Sequence, residues 1–398
     1  MPSPRTRALT TPLAALPAER SPVPPVFHAT TWEVENAAHL AELLSGARQG
    51  YSYSRVGSPT ADAFATAVMG LEGGAFAQPF GSGMAAISST MLALLSAGDQ
   101  VVAPHSLYGN TASLLTGMLA RLGIVVVWAD LADPASVQSA LSPRTRLVWA
   151  ETMANPSMRM ADLPGVAAVC RAAGVPFAVD STFTSPAMLR PLGHGVDLVV
   201  HSATKYLGGH SDATGGVVVG GADAGELMAR IRAARIDLGG VLAPDEAYLL
   251  HRGLATLDLR VGRACATASA LAAALAADDR VEQVDHPCLP GHQAHALAHR
   301  LCDEGRYGAV LTVTPRGGRA AGLAMLDALR LIPQATSLGG VHTLASHPAS
   351  TSHRQLDDEG LARAGICPGG VRIPVGLEDA QDLLADLQQA LAVAVRAS

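Results

Sequence analysis

The chain has 398 residues and a formal net charge of −6, long enough for two or three domains that each bury a core. Apolar residues make up 49% and charged residues 16%, which marks a globular chain. A mildly acidic chain without a basic block excludes nucleic acid and anionic membrane surfaces as electrostatic partners.

In chain order, Arg5 and Arg7 precede a weak apolar stretch that Pro12 and Pro17 interrupt, which is not the pattern of a signal peptide. Residues 1–58 are Pro-rich and irregular, with a short helical pattern near 37–44. Such an arm is expected to wrap over another surface. From about 60 to 235, short strand-like runs at 76–80, 100–103, 124–129, 147–150, 176–180, 198–201 and 216–219 alternate with helical patterns such as 84–95 and 163–173. That alternation predicts an α/β fold with a mostly parallel sheet covered on both faces, where ligands bind beyond the carboxyl ends of the strands. Residues 245–277 read as one long helix rich in Ala and Leu. A smaller α+β unit follows, with strands at 309–313 and 371–375 and a final helix at 377–395. The expected division is an arm over 1–58, an α/β domain over 59–244 and a C-terminal α+β domain over 245–398.

Apolar runs such as 124–128 fall far short of the roughly 20 residues that cross a bilayer. Cys170, Cys265, Cys288, Cys302 and Cys367 are widely spaced with no CxxC pair. An odd, scattered set fits neither a disulfide framework nor a zinc cage, so the expected compartment is the cytoplasm and no metal is expected.

Among 28 Lys and Arg residues, Lys205 is the single lysine. Arginine can replace a lysine wherever a surface charge is all that is wanted. It cannot replace one that must lose its proton and attack a carbonyl. Lys205 follows a strand, with hydroxyls at Ser202 and Thr204 within three residues, an arrangement that suits an imine to an aldehyde whose phosphate accepts those hydrogen bonds. Asp180 ends the apolar strand 176–180, where a carboxylate needs a cation or a protonated nitrogen beside it. A pyridinium nitrogen is such a partner, and a helix cap is the alternative. In Phe80-Gly81-Ser82-Gly83-Met84-Ala85-Ala86 a glycine turn joins a strand to a helix. Backbone amides there can hold a phosphate, and the spelling also fits the dinucleotide fingerprint G-x-G-x-x-A. Asp99, the next acid that might hold a ribose, stands before a strand rather than after one, which counts against a dinucleotide. Tyr53 and Arg55 bring phenol and guanidinium close together, a pairing suited to phosphate or carboxylate. Tyr108, just past a strand, is placed to stack on a ring.

Taken together, Tyr53-Ser54-Arg55, Ser82-Gly83-Met84, Tyr108-Gly109, Glu151-Thr152 with Asn155-Pro156, Val179-Asp180, Ser202-Ala203-Thr204-Lys205-Tyr206, Ser337-Leu338-Gly339-Gly340, His347-Pro348-Ala349-Ser350 and Val371-Arg372 resemble the Cys/Met-metabolism (trans-sulfuration) family of pyridoxal-phosphate enzymes. The resemblance runs from about residue 22 to 395 and is greatest to its methionine γ-lyases. It implies a fold-type I transferase fold, aspartate-aminotransferase-like, with a seven-stranded sheet and pyridoxal 5'-phosphate as cofactor. It implies Lys205 as Schiff-base lysine and proton shuttle, Asp180 on the pyridine nitrogen and Tyr108 stacked on the ring. Gly83, Met84, Ser202 and Thr204 would hold the phosphate. Tyr53 and Arg55 would reach the phosphate of a neighbouring subunit, making a dimer the smallest competent unit and a homotetramer the expected one. Arg372, with Ser337 and Asn155, would bind the substrate carboxylate.

Two departures bear on the substrate. Asn110 follows Tyr108-Gly109 where methionine γ-lyases typically carry Cys, and His342 stands where most members have Glu, in a stretch expected near the substrate tail. The implied activity is γ-elimination on a sulfur amino acid, methionine giving methanethiol, 2-oxobutanoate and ammonia. Tyr108 is the expected general acid, its phenol made more acidic by burial and cationic neighbours. Cystathionine γ-lyase and γ-replacement, as in cystathionine γ-synthase or O-acetylhomoserine sulfhydrylase, are the alternatives.

Overall fold

Strand polarity and helix cover explain where this molecule keeps its polar residues. The computed structural model describes residues 21–354 and 356–397, so residues 1–20 of the expected arm lie outside the described residues. In the described part of the arm, helix α1 (Ala37–Ser45) starts at Asn36, whose side chain accepts the His39 N–H, and ends at Gly46 with φ 77°. No residue of α1 is buried. Local contacts hold the rest: Ser54 N–H donates to Thr30 O at 2.8 Å, and the Trp32 ring sits 5.7 Å from Phe27 and 5.5 Å from Tyr51.

Next come α2 (Pro59–Glu72), β1 (Phe76–Phe80), α3 (Gly83–Leu94), β2 (Gln100–Ala103), α4 (Gly109–Ser113, continued by a π turn over Leu114–Leu119) and β3 (Val125–Trp128). They are followed by α5 (Pro134–Ala140), β4 (Thr145–Glu151), α6 (Leu163–Ala173), β5 (Phe177–Asp180), β6 (Leu198–Ser202), β7 (Gly216–Gly220) and α7 (Gly225–Leu238). The strands form one seven-stranded sheet in the order β1-β7-β6-β5-β4-β2-β3. Only β7 runs against its neighbours. This is the mostly parallel α/β sheet that the alternation of strand and helix patterns predicts.

Because alternate strand residues point to opposite faces, the apolar runs feed two cores. On one face Phe64 and Val68 of α2 and Val166 of α6 pack on Val179, Val199 and Val217. On the other, Ile87 and Met91 of α3 and Ile231 of α7 pack on Ala178, Val200 and Val218. With both faces covered, polar chemistry is confined to the sheet's edges, and the carboxyl ends of β1, β4, β5 and β6 open onto one of them.

Residues 245–277 do not form one helix. The chain breaks between α8 (Pro244–Leu254) and α9 (Leu257–Ala276), and packing explains the break. Arg260, buried on α9, donates to Tyr206 O at 2.9 Å and to Gly253 O at 2.8 Å. Gly253 lies so close to the loop after β6 that an added Cβ would stand 2.3 Å from Gly208 O. By length and composition alone helix α9 could cross a membrane. An 18-residue window of it reaches a mean hydropathy of 1.2, but half of that window is buried inside the fold, as in the core helix of a globular protein.

The second sheet has the antiparallel order β10-β9-β8, from β8 (Val281–Asp285), β9 (Val310–Pro315) and β10 (Val371–Pro374). Helix α10 (His295–Leu301) separates β8 from β9. Two of the next three helices, α11 (Gly318–Ala328) and α13 (Ala380–Ala397), cover the sheet through Met325, Leu383 and Leu387. The remaining one, α12 (Asp358–Arg363), precedes β10. Strand β8 was not expected. It is an edge strand with exposed Glu282 and Gln283, and its five residues offer too short a pattern to read.

Candidate active site

The first residue placed at the sheet edge is Lys205. It follows β6 by a turn in which its N–H donates to Ser202 O at 3.1 Å, and it points into a cavity of about 700 Å³. Its Nζ donates to Ser337 Oγ at 2.8 Å. Burial, with the Arg372 guanidinium nearby, pushes the amine below its usual range, so the neutral, nucleophilic form becomes available at lower pH than for a surface lysine.

Asp180 closes β5 and is buried. Its Oδ1 accepts the Thr182 N–H at 2.9 Å, and Thr182 Oγ1 in turn accepts the Ser202 N–H at 2.7 Å. Burial pushes the Asp180 carboxyl above the usual carboxylate range, because no Lys, Arg or His lies within ion-pair distance of it among the described residues. A protonated ring nitrogen is the partner this anion lacks.

At the opposite wall, α3 begins at Gly83, and the Ser82 side chain accepts the Ala85 N–H at 3.0 Å. The amides of Gly83 and Met84 are among those with no helical partner, and their end of the helix favours an anion. Only glycine fits at 83: a Cβ there would stand 2.6 Å from Ser202 Cβ. The Thr204 hydroxyl accepts the Gly215 N–H at 3.0 Å. Gly83, Met84, Ser202 and Thr204 all line the cavity, and two of the four are hydroxyl donors suited to phosphate oxygens.

Arg372 enters from β10. It is 5% exposed and donates to Asn155 Oδ1 at 3.0 Å and to Ser337 O at 3.1 Å. Burial pushes its pKa down to about 10. Ser337 is therefore gripped twice, through its hydroxyl by Lys205 and through its carbonyl by Arg372. It sits at φ 93°, a left-handed conformation that a serine rarely adopts.

Tyr108 precedes α4 and lines the cavity. Its N–H donates to Glu151 Oε1 at 2.5 Å, and its hydroxyl accepts from Asn110 Nδ2 at 3.1 Å. Burial and the charge of Asp180 push the phenol above its ordinary value, with Arg372 opposing them. This corrects the expectation of a more acidic phenol: removing water disfavours the phenolate, and the nearby carboxylates add to that.

Lys205, Asp180, Tyr108, Gly83, Met84, Ser202, Thr204, Asn155, Ser337, Arg372 and Asn110 thus meet around one cavity. Tyr53, Arg55 and His342 do not line it. Tyr53 is 41% exposed, and the Arg55 guanidinium lies 5.8 Å over the Tyr53 ring while donating to Ile236 O at 2.9 Å. His342 is exposed because Thr343, the next residue, turns inward instead, its hydroxyl bonded to Glu378 at 2.6 Å. Two charged cavity residues, Glu151 and Arg354, were missed as site residues. Glu151 carries the same signal as Asp180, an acid closing an apolar strand. Arg354 lies in a loop whose approach to the cavity no sequence spacing reveals.

These residues fit pyridoxal phosphate: a buried carboxylate short of a cation, an amine of lowered pKa, a helix start at a glycine cradle, and room for a ring. Comparison with known proteins bears on the same point. A family model described as "Cys/Met metabolism PLP-dependent enzyme" matches residues 6–392. An L-methionine gamma-lyase of Pseudomonas putida is 41% identical over 371 residues, 93% of this chain and 92% of that one. An O-succinylhomoserine sulfhydrylase of Pseudomonas aeruginosa is 38% identical over 367 residues, covering 92% of this chain and 90% of its own. A solved Campylobacter jejuni subsp. jejuni chain, named as an O-acetylhomoserine (thiol)-lyase and carrying a pyridoxyl-lysine-phosphate, superposes with a TM-score of 0.91 at 30% identity over 95% of this chain and 97% of its own.

Proposed function

The chain belongs to the family of pyridoxal-phosphate-dependent enzymes of Cys/Met metabolism, and from that premise we propose that it catalyses γ-elimination on L-methionine, giving methanethiol, 2-oxobutanoate and ammonia with uptake of one water. The observation that carries this reading is the double grip on Ser337. Lys205 Nζ stands 2.8 Å from its hydroxyl and Arg372 Nη2 stands 3.1 Å from its carbonyl. A base and a carboxylate receptor are thereby held side by side, as the Cα–H and carboxylate of an amino acid require. Methionine is the favoured substrate because of the 41% identical lyase.

Bound pyridoxal phosphate supplies an aldehyde for the substrate amine and a protonated ring that takes up electrons. Asp180 keeps the positive charge at the ring nitrogen. Gly83, Met84, Ser202 and Thr204 hold the phosphate. Arg372, kept in place by Asn155, binds the substrate carboxylate through charge-assisted hydrogen bonds. Lys205 Nζ removes the α-proton and moves it on, and its lowered pKa leaves it free to accept one. Tyr108 donates a proton to the departing thiolate, a role its raised pKa suits because the phenol keeps that proton until it is needed.

A second reading is γ-replacement. It is favoured by Asn110 on the Tyr108 hydroxyl, where methionine γ-lyases typically carry Cys, and by the sulfhydrylase relative at 38% identity. The two separate in one assay of the cofactor-loaded enzyme with methionine, cystathionine, O-acetylhomoserine and homocysteine. Keto acid and methanethiol from methionine alone are expected. No keto acid from methionine, with product formed only when a thiol is added to an activated homoserine, would replace elimination by exchange.

The working unit in this reading is a dimer within a homotetramer, in which Tyr53 and Arg55 serve the phosphate of a neighbouring subunit. Their outward position, away from their own cavity, supports it. Light scattering is expected to give the mass of four chains. Arg55→Ala is expected to weaken cofactor retention on dialysis by about tenfold or more, from loss of a charged hydrogen bond worth about 1.5–3 kcal/mol. A monomer that keeps its cofactor would refute this assembly. The domain division at residue 244 and a cytoplasmic setting belong to the same reading, supported by the two sheets falling on either side of that residue and by the five unpaired cysteines.

A further inference from the structure

Glu151 ends β4 beside Asp180, its strand partner in register on β5. It is 7% exposed and no role in the chemistry has fallen to it. Its surroundings connect three walls of the cavity. Its Oε1 accepts the Tyr108 N–H at 2.5 Å, just ahead of α4, where the first amides of a helix favour an acceptor. The Asn155 backbone amide also acts on its carboxyl group, pulling its pKa down against burial, and Asn155 is the residue that orients Arg372. One side chain therefore holds the amide of the acid, lies beside the ring-nitrogen partner and is acted on by the residue that orients the carboxylate receptor.

Two buried carboxyl groups side by side do not both ionise readily. On the main cavity, the titratable and charged groups that line it with Glu151 are Asp180, Tyr108, Lys205, Arg354 and Arg372. On its other side, a smaller cavity of about 280 Å³ brings His105, Asp130, Arg159 and Arg363 to the same wall. Asp180 is the member of the pair that faces a cationic ring nitrogen in the bound enzyme, so the charge belongs there. Burial and the charge of Asp180 push the Glu151 carboxyl well above the usual carboxylate range, in keeping with that division.

We propose that Glu151 is a positioning residue acting as a neutral acid: it holds the Tyr108 amide through Oε1 and leaves the negative charge of the site to Asp180. The inference rests on the cofactor-binding reading above and not on which substrate is turned over.

The test compares Glu151→Gln, Glu151→Asp and Glu151→Ala in the cofactor-loaded protein, reading the visible absorbance of bound pyridoxal phosphate after dialysis and kcat on the best substrate of the panel. Glutamine keeps the reach and an acceptor oxygen without a charge. It is expected to retain the native spectrum and kcat within about threefold, since exchanging one neutral acceptor for another changes little. Aspartate keeps the carboxyl group but loses the reach. It is expected to fall with alanine by about 10-fold to 10²-fold in kcat, the scale of a displaced catalytic group. A glutamine variant as impaired as alanine, or an aspartate variant as good as native, overturns the proposal. The Gln and Asp variants decide it even where Ala fails to fold. If methionine proves to be the wrong substrate, the absorbance readout still decides the role of Glu151.

Discussion

Lys205→Ala is expected to lower turnover by at least ~10³-fold, because it removes the amine that holds the cofactor and the base that moves the proton. Positioned proton transfer alone supplies roughly 10²–10⁴-fold, and covalent attachment adds to it. The chain has no second lysine to take over, and arginine at 205 would stay protonated. Two measurements check this: keto-acid release from the preferred substrate, and borohydride reduction followed by mass analysis of the peptide containing residue 205. The native protein should gain one pyridoxyl phosphate there, and the variant none. A variant with near-native turnover, or a native protein labelled elsewhere, would end the assignment.

Arg372→Ala should show the complementary pattern, a damaged substrate site beside an intact cofactor. The guanidinium is buried against Asn155 and Ser337, so its charge is poorly screened by water and strongly felt by a carboxylate. Losing charged hydrogen bonds worth about 1.5–3 kcal/mol each should lower kcat/KM by about 10²-fold or more while bound cofactor absorbs as in the native protein. Arg372→Lys should recover little, since a point charge does not reproduce the planar fork. Unchanged kcat/KM in a fully loaded Arg372→Ala would move the carboxylate receptor elsewhere. The contrast with Lys205→Ala matters, because one variant should fail before the cofactor is joined and the other after it.

How legible the site was depended on the kind of constraint each residue obeys. Lys205 stood out because a chain that uses arginine everywhere else keeps one amine. Asp180 stood out because an acid ending an apolar strand has nowhere dry to go without a partner. Glu151 satisfied the same rule and was quoted only within a motif, without a role, since nothing in the linear order says that β4 and β5 lie side by side. The direction of the Tyr108 pKa failed for a related reason: the phenol's neighbours include Asp180 and Glu151, from strands far away in sequence. The break between α8 and α9 carries no proline, and the close passage of Gly253 by Gly208 and the Arg260 bonds to Tyr206 O and Gly253 O account for it.

The sequence by itself determined the α/β alternation, the family resemblance and the residues whose chemistry admits no substitute. Those features are local, because periodicity, strand-end acids and glycine turns act within a few residues. The tertiary structure decided which of these residues meet. It brought Arg372 from β10, 167 positions after Lys205, onto the same serine, left Tyr53, Arg55 and His342 outside the cavity, and set two carboxyl groups in one wall. Such convergence depends on strand order and helix packing across the whole chain, and the resulting desolvation and charge coupling exist only once the cavity is closed around them.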